Sequence, residues 1–215
     1  MRFEYTMIFN FEGALHGMRN PMNSWHLSDT TYEPLKIGPN DLKLAQKLVR
    51  AGNEHAKFMR QIFVSVDITA PIFWWKEADT YKVGTVANST STMHKLTAAP
   101  ITKEMFEFDD EIFFIGLKDK DTIQKFIDDE VTNCNYLRNK YLETKDERYW
   151  RALIQLLPES YNQTRTITMS YANLRNIYFQ RRNHKLKEWR KFCDWIHTLP
   201  YANELITMED KNETN

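Results

Sequence analysis

Between residues 61 and 68 the chain alternates cleanly, and this stretch limits the fold more than any other. Ile62, Val64, Val66 and Ile68 point one way, Ser65 and Asp67 the other, which is the pattern of a half-buried strand. Pro71 has no N–H to offer a ladder and ends the strand. Phe73, Trp74 and Trp75 then open an apolar, helix-like run. A strand cut by proline and handed directly to an aromatic helix requires a mixed α/β class.

The flanking sequence extends this frame. Phe3, Tyr5, Met7, Phe9 and Phe11 alternate and predict a first strand over residues 3–11. Residues 16–40 are crowded with Gly, Pro, Asn and Ser and predict a long ordered loop, of the kind that covers ligands or moves. Arg19, Asn20 and Trp25 lie within it. Asn40 or Asp41 is expected to cap a helix that places Leu44, Leu48 and Ala51 on one face beside Ala45 and Val49. Asp121 and Gln124 suit the N-cap and N3 positions of another helix. Helical periodicity runs over residues 136–157, breaks at Pro158 and resumes over residues 169–197. Without internal repeats or low-complexity linkers, one domain over residues 1–205 with a polar, frayed tail over 206–215 is the expected organisation.

Composition excludes several classes. The 29 basic and 29 acidic residues cancel, so there is no broad positive field of the kind a general nucleic-acid binder needs. Any anion must be held by a local cluster. Cys134 and Cys193 carry no metal-ligand or redox spacing and are read as unpaired thiols of a reducing compartment, a single bridge being the alternative. The first residues are charged and hold no long apolar run, and no stretch approaches the roughly 20 apolar residues of a membrane span. A cytoplasmic location is the expectation. The six histidines show no H-x-x-x-H spacing, so no metal site is expected.

Two groups of residues carry possible chemistry. Ser89, Thr90, Ser91 and Thr92 offer four hydroxyls in a row after a glycine-containing turn, suited to lining an oxyanion. Arg175, Arg181 and Arg182 supply guanidinium forks on an expected helix. Read singly, the first is a solvated loop and the second a solvated helix face. The aromatic run Phe73, Trp74 and Trp75 reads first as core or subunit interface, and only second as a stacking platform.

The segment over residues 73–94, FWWKEADTYKVGTVANSTSTMH, resembles a known family. Flavin-dependent thymidylate synthases have a strand, a proline, an apolar helical run and then a motif R-H-R-x-x-S-x-N-x-x-S-x-R. Thr80, Tyr81 and Lys82 occupy the R-H-R place, Thr85 the first Ser, Asn88 the Asn and Ser91 the second Ser, with one extra residue before Ser91. The final Arg is replaced by Met93 or His94. Upstream, K-L-V-R-A-G-N-E-H-A-K-F resembles the family's helix and turn before the strand. Downstream, Leu157 and Pro158 match a Leu-Pro, and Asn173, Leu174, Arg175, Arg182 and Trp189 resemble the last helical region, with the Asn173-to-Arg182 spacing two residues short.

The resemblance implies a thymidylate synthase-complementing-protein-like fold, α/β (α+β), with a central antiparallel sheet and flanking helices. It implies reductive methylation of dUMP to dTMP with FAD, NADPH and methylenetetrahydrofolate, in a homotetramer. Carried over by position, Arg182 is the catalytic group that holds or polarises the pyrimidine. Glu77, Ser89, Ser91 and Thr92 contact the nucleotide. Thr80, Tyr81, Lys82, Asn88, Asn173 and Arg175 lie against the flavin. The departures matter: a lysine replaces guanidinium forks, Glu77 replaces a Gln, and a phosphate-binding Arg is missing. Two other readings therefore stand beside the first: a relative that binds a nucleotide or flavin without chemistry, and a structural or interaction protein.

Overall fold

The structure, a computed structural model, describes residues 1–108 and 120–209, with the side chains of residues 120–123 also left aside. The expected capping pair Asp121 and Gln124 thus falls partly outside the described residues, as does the end of the tail, 210–215. Four strands, β1 (Arg2–Phe9), β4 (Phe63–Pro71), β5 (Val86–Ser89) and β6 (Asn162–Ser170), form a sheet in the order β1-β4-β6-β5, and β2 (Thr31–Tyr32) and β3 (Leu35–Lys36) form a small antiparallel ladder. The class is mixed α/β with an antiparallel sheet, as the residue pattern implies. The residues group into two compact units: Met1–Arg2, Ile68–Thr80 and Asn88–Arg165 in one, and Phe3–Asp67, Tyr81–Ala87 and Thr166–Asn215 in the other.

The second unit contains helices α1 (Phe11–Met18), α2 (Pro39–Arg50), α7 (Tyr171–Arg181) and α8 (Lys187–His197). Ile62, Val64 and Val66 are fully buried there, which bears out the alternation of the strand. Around them lie Leu15, Ala45, Met59, Tyr171, Leu174 and Trp189, all nearly inaccessible. The first strand stops earlier than its alternation suggests. Asn10 adopts a left-handed backbone, φ 66, and turns the chain so that Phe11 begins α1 and joins the core. Tyr5, Met7 and Phe9 stay exposed.

Residues 16–40 hold more regular structure than the loop expected from their composition: the end of α1, two 3₁₀ turns and the β2–β3 ladder. Nor do Asn40 and Asp41 cap α2. Gly38 is the N-cap, Pro39 sits where a missing N–H costs nothing, and the carboxylate of Asp29 accepts the N–H groups of Asn40 and Asp41. Asp41 lies inside the first turn instead. It is completely buried and paired with Arg19 at 2.6 Å.

The first unit contains α3 (Ile72–Ala78), α4 (Thr92–Lys95), α5 (Lys120–Thr144) and α6 (Glu147–Leu156). One cluster of its core is Leu96, Ile101, Phe106, Cys134 and Leu153. Lys145, at φ 58, separates α5 from α6 within what reads as one periodic stretch, and Asp146 caps α6 by accepting the N–H of Arg148. The sequence pattern also conceals β6, which lies between two helices, and β5. Trp74 and Trp75 are buried edge to face, 4.8 Å apart, so the aromatic run is core. Among the described residues no helix is long and apolar enough to cross a membrane.

Candidate functional site

Helix α7 carries Asn173 and Arg175, ends at Arg182 and anchors the loop of Tyr81 and Lys82. Ser170 caps it, accepting the N–H of Asn173, while Asn173 Oδ1 accepts the Ser170 N–H, a reciprocal capping box. The other end of the same amide, Nδ2, donates to the carbonyl of Val83 at 2.8 Å. Gly84, at φ 73, brings its backbone close beside the Asn173 side chain. The loop Tyr81–Ala87 is therefore tied to the first turn of α7. Its start is tied to the last turn: Arg181 Nε donates to the Tyr81 hydroxyl at 2.7 Å, and that hydroxyl donates to Gln180 at 2.9 Å. The Arg181 guanidinium also stands 4.9 Å from the centre of the Trp189 ring. Lys82 is exposed beside these anchors.

A second face of α7 borders a cavity of about 360 Å³. Ala172, Arg175, Asn176, Phe179 and Arg182 recur at three- and four-residue steps and so share this face. The opposite wall is Val49 of α2 and Asn53 beyond its end, with Ala56, Met59 and Arg60 ahead of β4. Arg175 and Arg182 both lie against the Phe179 ring, at 4.7 and 4.9 Å from its centre. Arg175 Nη1 donates to the carbonyls of Ile206 and Met208, and Arg182 Nη1 pairs with Glu209 at 2.8 Å. Arg60 makes one long contact, 3.4 Å to the Asn53 carbonyl.

Among the described residues, three guanidinium groups line this cavity and no carboxylate does. Its volume lies in the range of small-ligand pockets. Planar forks of this kind match the oxygens of a phosphate or carboxylate. Asn53 and Asn176 add amides that can both give and accept hydrogen bonds. Arg60 is the residue that sequence reasoning misses. The stretch K-L-V-R-A-G-N-E-H-A-K-F that resembles the family ends at Phe58, two residues before Arg60, so the pattern gives no reason to single out this arginine.

The remaining expected residues belong to the other unit. Glu77 is half-buried near the end of α3, and its carbonyl accepts the N–H and hydroxyl of Thr80. Asn88 and Ser89 are exposed on β5. Ser91 Oγ accepts the N–H of His94 and so caps α4. The Thr90 N–H donates to Thr164, and the Thr90 carbonyl accepts from Gln163. Of the hydroxyl run, Ser91 is thus already committed to the local backbone. Arg165, absent from the expected set, pairs with Asp79 at 2.8 Å and lies 4.4 Å from the centre of the Trp75 ring.

In short, the unit holding α7 brings together Tyr81, Lys82, Asn173, Arg175 and Arg182, whereas Glu77, Thr80, Asn88, Ser89, Ser91 and Thr92 lie in the other unit. No family model and no curated protein matches the sequence. Solved structures do. Two structures of thymidylate synthase X from Helicobacter pylori, each with FAD and dUMP, are 16% identical, with TM-scores of 0.70 and 0.68, and each likeness covers 96% of this chain and 98% of the other. This chain has the thymidylate synthase X fold, and the fold expected from the residue order is the one observed.

Proposed function

We propose that this protein binds a flavin and a deoxyuridine nucleotide, and that it methylates the nucleotide reductively in the manner of thymidylate synthase X. The observation that carries the reading is the cavity on α7, where Arg60, Arg175 and Arg182 converge beside Phe179 within that fold. The donor set fits a phosphorylated aromatic ligand. Guanidinium forks suit the phosphate, Phe179 contributes an aromatic wall, and Asn53 and Asn176 suit the edge of a base.

FAD, when bound, supplies the redox chemistry of the methylation, with NADPH as reductant and methylenetetrahydrofolate as carbon donor. The chain's own residues bind and orient. Arg182 meets the pyrimidine, as its place in the motif implies, and it shares the phosphate and the developing charge with Arg60 and with Arg175, which turns to the nucleotide of this cavity rather than to the flavin expected from the motif. Lys82 offers an exposed cation to the flavin side, while Tyr81 and Asn173 set the position of the loop that carries it. Glu77, Ser89, Ser91 and Thr92 contact the nucleotide, and Thr80 and Asn88 the flavin, by their places in the motif. A homotetramer in the cytoplasm completes the reading.

The test is absorbance of the purified protein with and without added FAD, followed by thermal shift with dUMP. Flavin uptake and stabilisation by dUMP are expected. Arg60→Ala removes one charge-assisted bond, about 1.5–3 kcal/mol, and should weaken dUMP roughly 10- to 150-fold. A protein that takes up no flavin and ignores dUMP refutes the proposal. A second reading, nucleotide binding without chemistry, is favoured by the Thr80, Tyr81, Lys82 triplet, which has no guanidinium fork. It predicts stabilisation by dUMP with neither NADPH oxidation nor dTMP formation.

A further inference from the structure

The two α7 arginines of the cavity are already in contact with another part of the chain. Arg175 donates to the Ile206 and Met208 carbonyls at 2.9 and 2.7 Å, and Arg182 pairs with the Glu209 carboxylate at 2.8 Å. These are the acceptors that a phosphate would offer the same forks. We propose that residues 206–209 act as an internal competitor for the arginine-lined cavity, with Glu209 standing in for the anionic group of the ligand. The proposal rests on the reading of that cavity as an anion site.

The segment is built for partial release. Leu205 and Ile206 are fully buried and fix its root within a π-helical turn, Ala202–Ile206, and the Thr207 N–H is held by the Ala202 carbonyl. Beyond Thr207, among the described residues, the segment is held through the Met208 carbonyl and the Glu209 carboxylate. The Glu209 side chain is 72% exposed against 32% for Arg182, so the pair is weakly desolvated and exchangeable. An incoming phosphate brings more charge than one carboxylate. It can take Arg182 from Glu209 and the Met208 bond from Arg175, while Arg60 needs no release. Ile206 keeps its place throughout. One of the three guanidinium charges is thus offset until a stronger anion arrives, which selects phosphorylated ligands over their uncharged counterparts.

The experiment uses the full chain and Glu209→Gln, titrated calorimetrically with dUMP and separately with inorganic pyrophosphate, together with amide hydrogen exchange. Glu209→Gln should bind both probes about three- to fivefold more tightly, since an exposed ion pair of this kind is worth up to that factor. In the unmodified protein either probe should speed exchange in the peptide beginning at Thr207, the reverse of ordinary ligand protection. Unchanged affinities in the variant, with exchange unchanged or slowed, overturn the competitor while leaving the nucleotide reading in place. Pyrophosphate binding that Glu209→Gln tightens, with no dUMP binding in either protein, keeps the competitor and removes the nucleotide reading. Failure of both probes to bind either protein removes both.

Discussion

Replacing Asp41 by Asn should destabilise the protein by about 3 kcal/mol at neutral pH, and the number follows from what the carboxylate does. Asp41 has no solvent exposure and Arg19 only 3%. Asp41 accepts from Arg19 Nε at 2.6 Å, Ser28 Oγ at 2.8 Å, Thr30 Oγ1 at 2.6 Å and the Asp29 N–H at 3.1 Å. Arg19 completes its own shell with the carbonyls of Ser24 and Leu27. An Asn in this place keeps the shape, but it turns an NH₂ toward donors and leaves a buried guanidinium without its counter-charge. Breaking a buried pair from one side costs about 3–5 kcal/mol, and losing one charge-assisted bond about 1.5–3, so about 3 kcal/mol is where the two ranges meet. At the upper slopes found in urea, about 3 kcal/mol per M, the midpoint should fall by about 1 M. Tryptophan fluorescence follows the transition. Acid supplies an internal check. Burial raises the pKa of Asp41, but the hydrogen bonds from Thr30, Ser28, Arg19 and the Asp29 backbone outweigh it and hold the carboxyl below its usual value. A depressed carboxylate contributes its stability above the unfolded pKa, about 3.9, and loses it as pH falls through the lower folded value. The gap between the two proteins should therefore be constant from about pH 7 to 5 and narrow below about pH 4. A midpoint shift under about 0.2 M, or a gap indifferent to acid, refutes the argument.

Asn173→Ala removes half of a capping box and the bond to the Val83 carbonyl together, and should cost about 1 kcal/mol. It should also speed tryptic cleavage after the exposed Lys82, because the loop loses its tie to α7; an unchanged cleavage rate contradicts that role. Both cysteines are buried and free. Burial, and then the neighbouring Glu130, pushes the Cys134 thiol up to about 12; burial, and then Asp194, pushes Cys193 up to about 11. Neither is a thiolate at pH 8, so a chromogenic disulfide reagent should leave the native protein unlabelled and titrate both thiols in denaturant. Rapid native labelling runs against this account.

The parts of the fold that could be read from the sequence are those where burial and periodicity agree. Ile62, Val64, Val66 and Ile68 alternate because one face of β4 is wholly inside, and Pro71 marks where the ladder stops. Elsewhere, local chemistry misleads because a distant group alters its meaning. Asp41 looks like a cap by its position before an apolar run, yet the cap comes from Asp29 and Asp41 is drawn inward by Arg19. β6 escapes because its run, NQTRTITMS, is only half-buried over most of its length, so no apolar stripe marks it, and periodic helices lie on both sides. Its threonines favour a strand, but that preference is weak against such surroundings.

The candidate site divides along the same line, and α7 shows why. Arg175 and Arg182 are seven residues apart and share a face, which the sequence reveals to anyone who places both on one helix. Arg181 and Arg182 are neighbours, and a step of about 100° sends them to different tasks. Arg181 reaches the Tyr81 hydroxyl, and Arg182 lines the cavity and reaches Glu209. A one-residue error in register would exchange these roles, and the spacing from Asn173 to Arg182, two residues short of the family pattern, leaves the register open on sequence alone. The structure shows where each arginine of this chain points. Ser170 and Asn173 cap the first turn of α7, and Arg182 lies against Phe179, pairs with Glu209 and borders the cavity with Arg60. What no local pattern carries is the other half of the site. Arg60 and Glu209 come from segments far apart in the chain: Arg60 shares the cavity with Arg182, and Glu209 pairs with that same arginine.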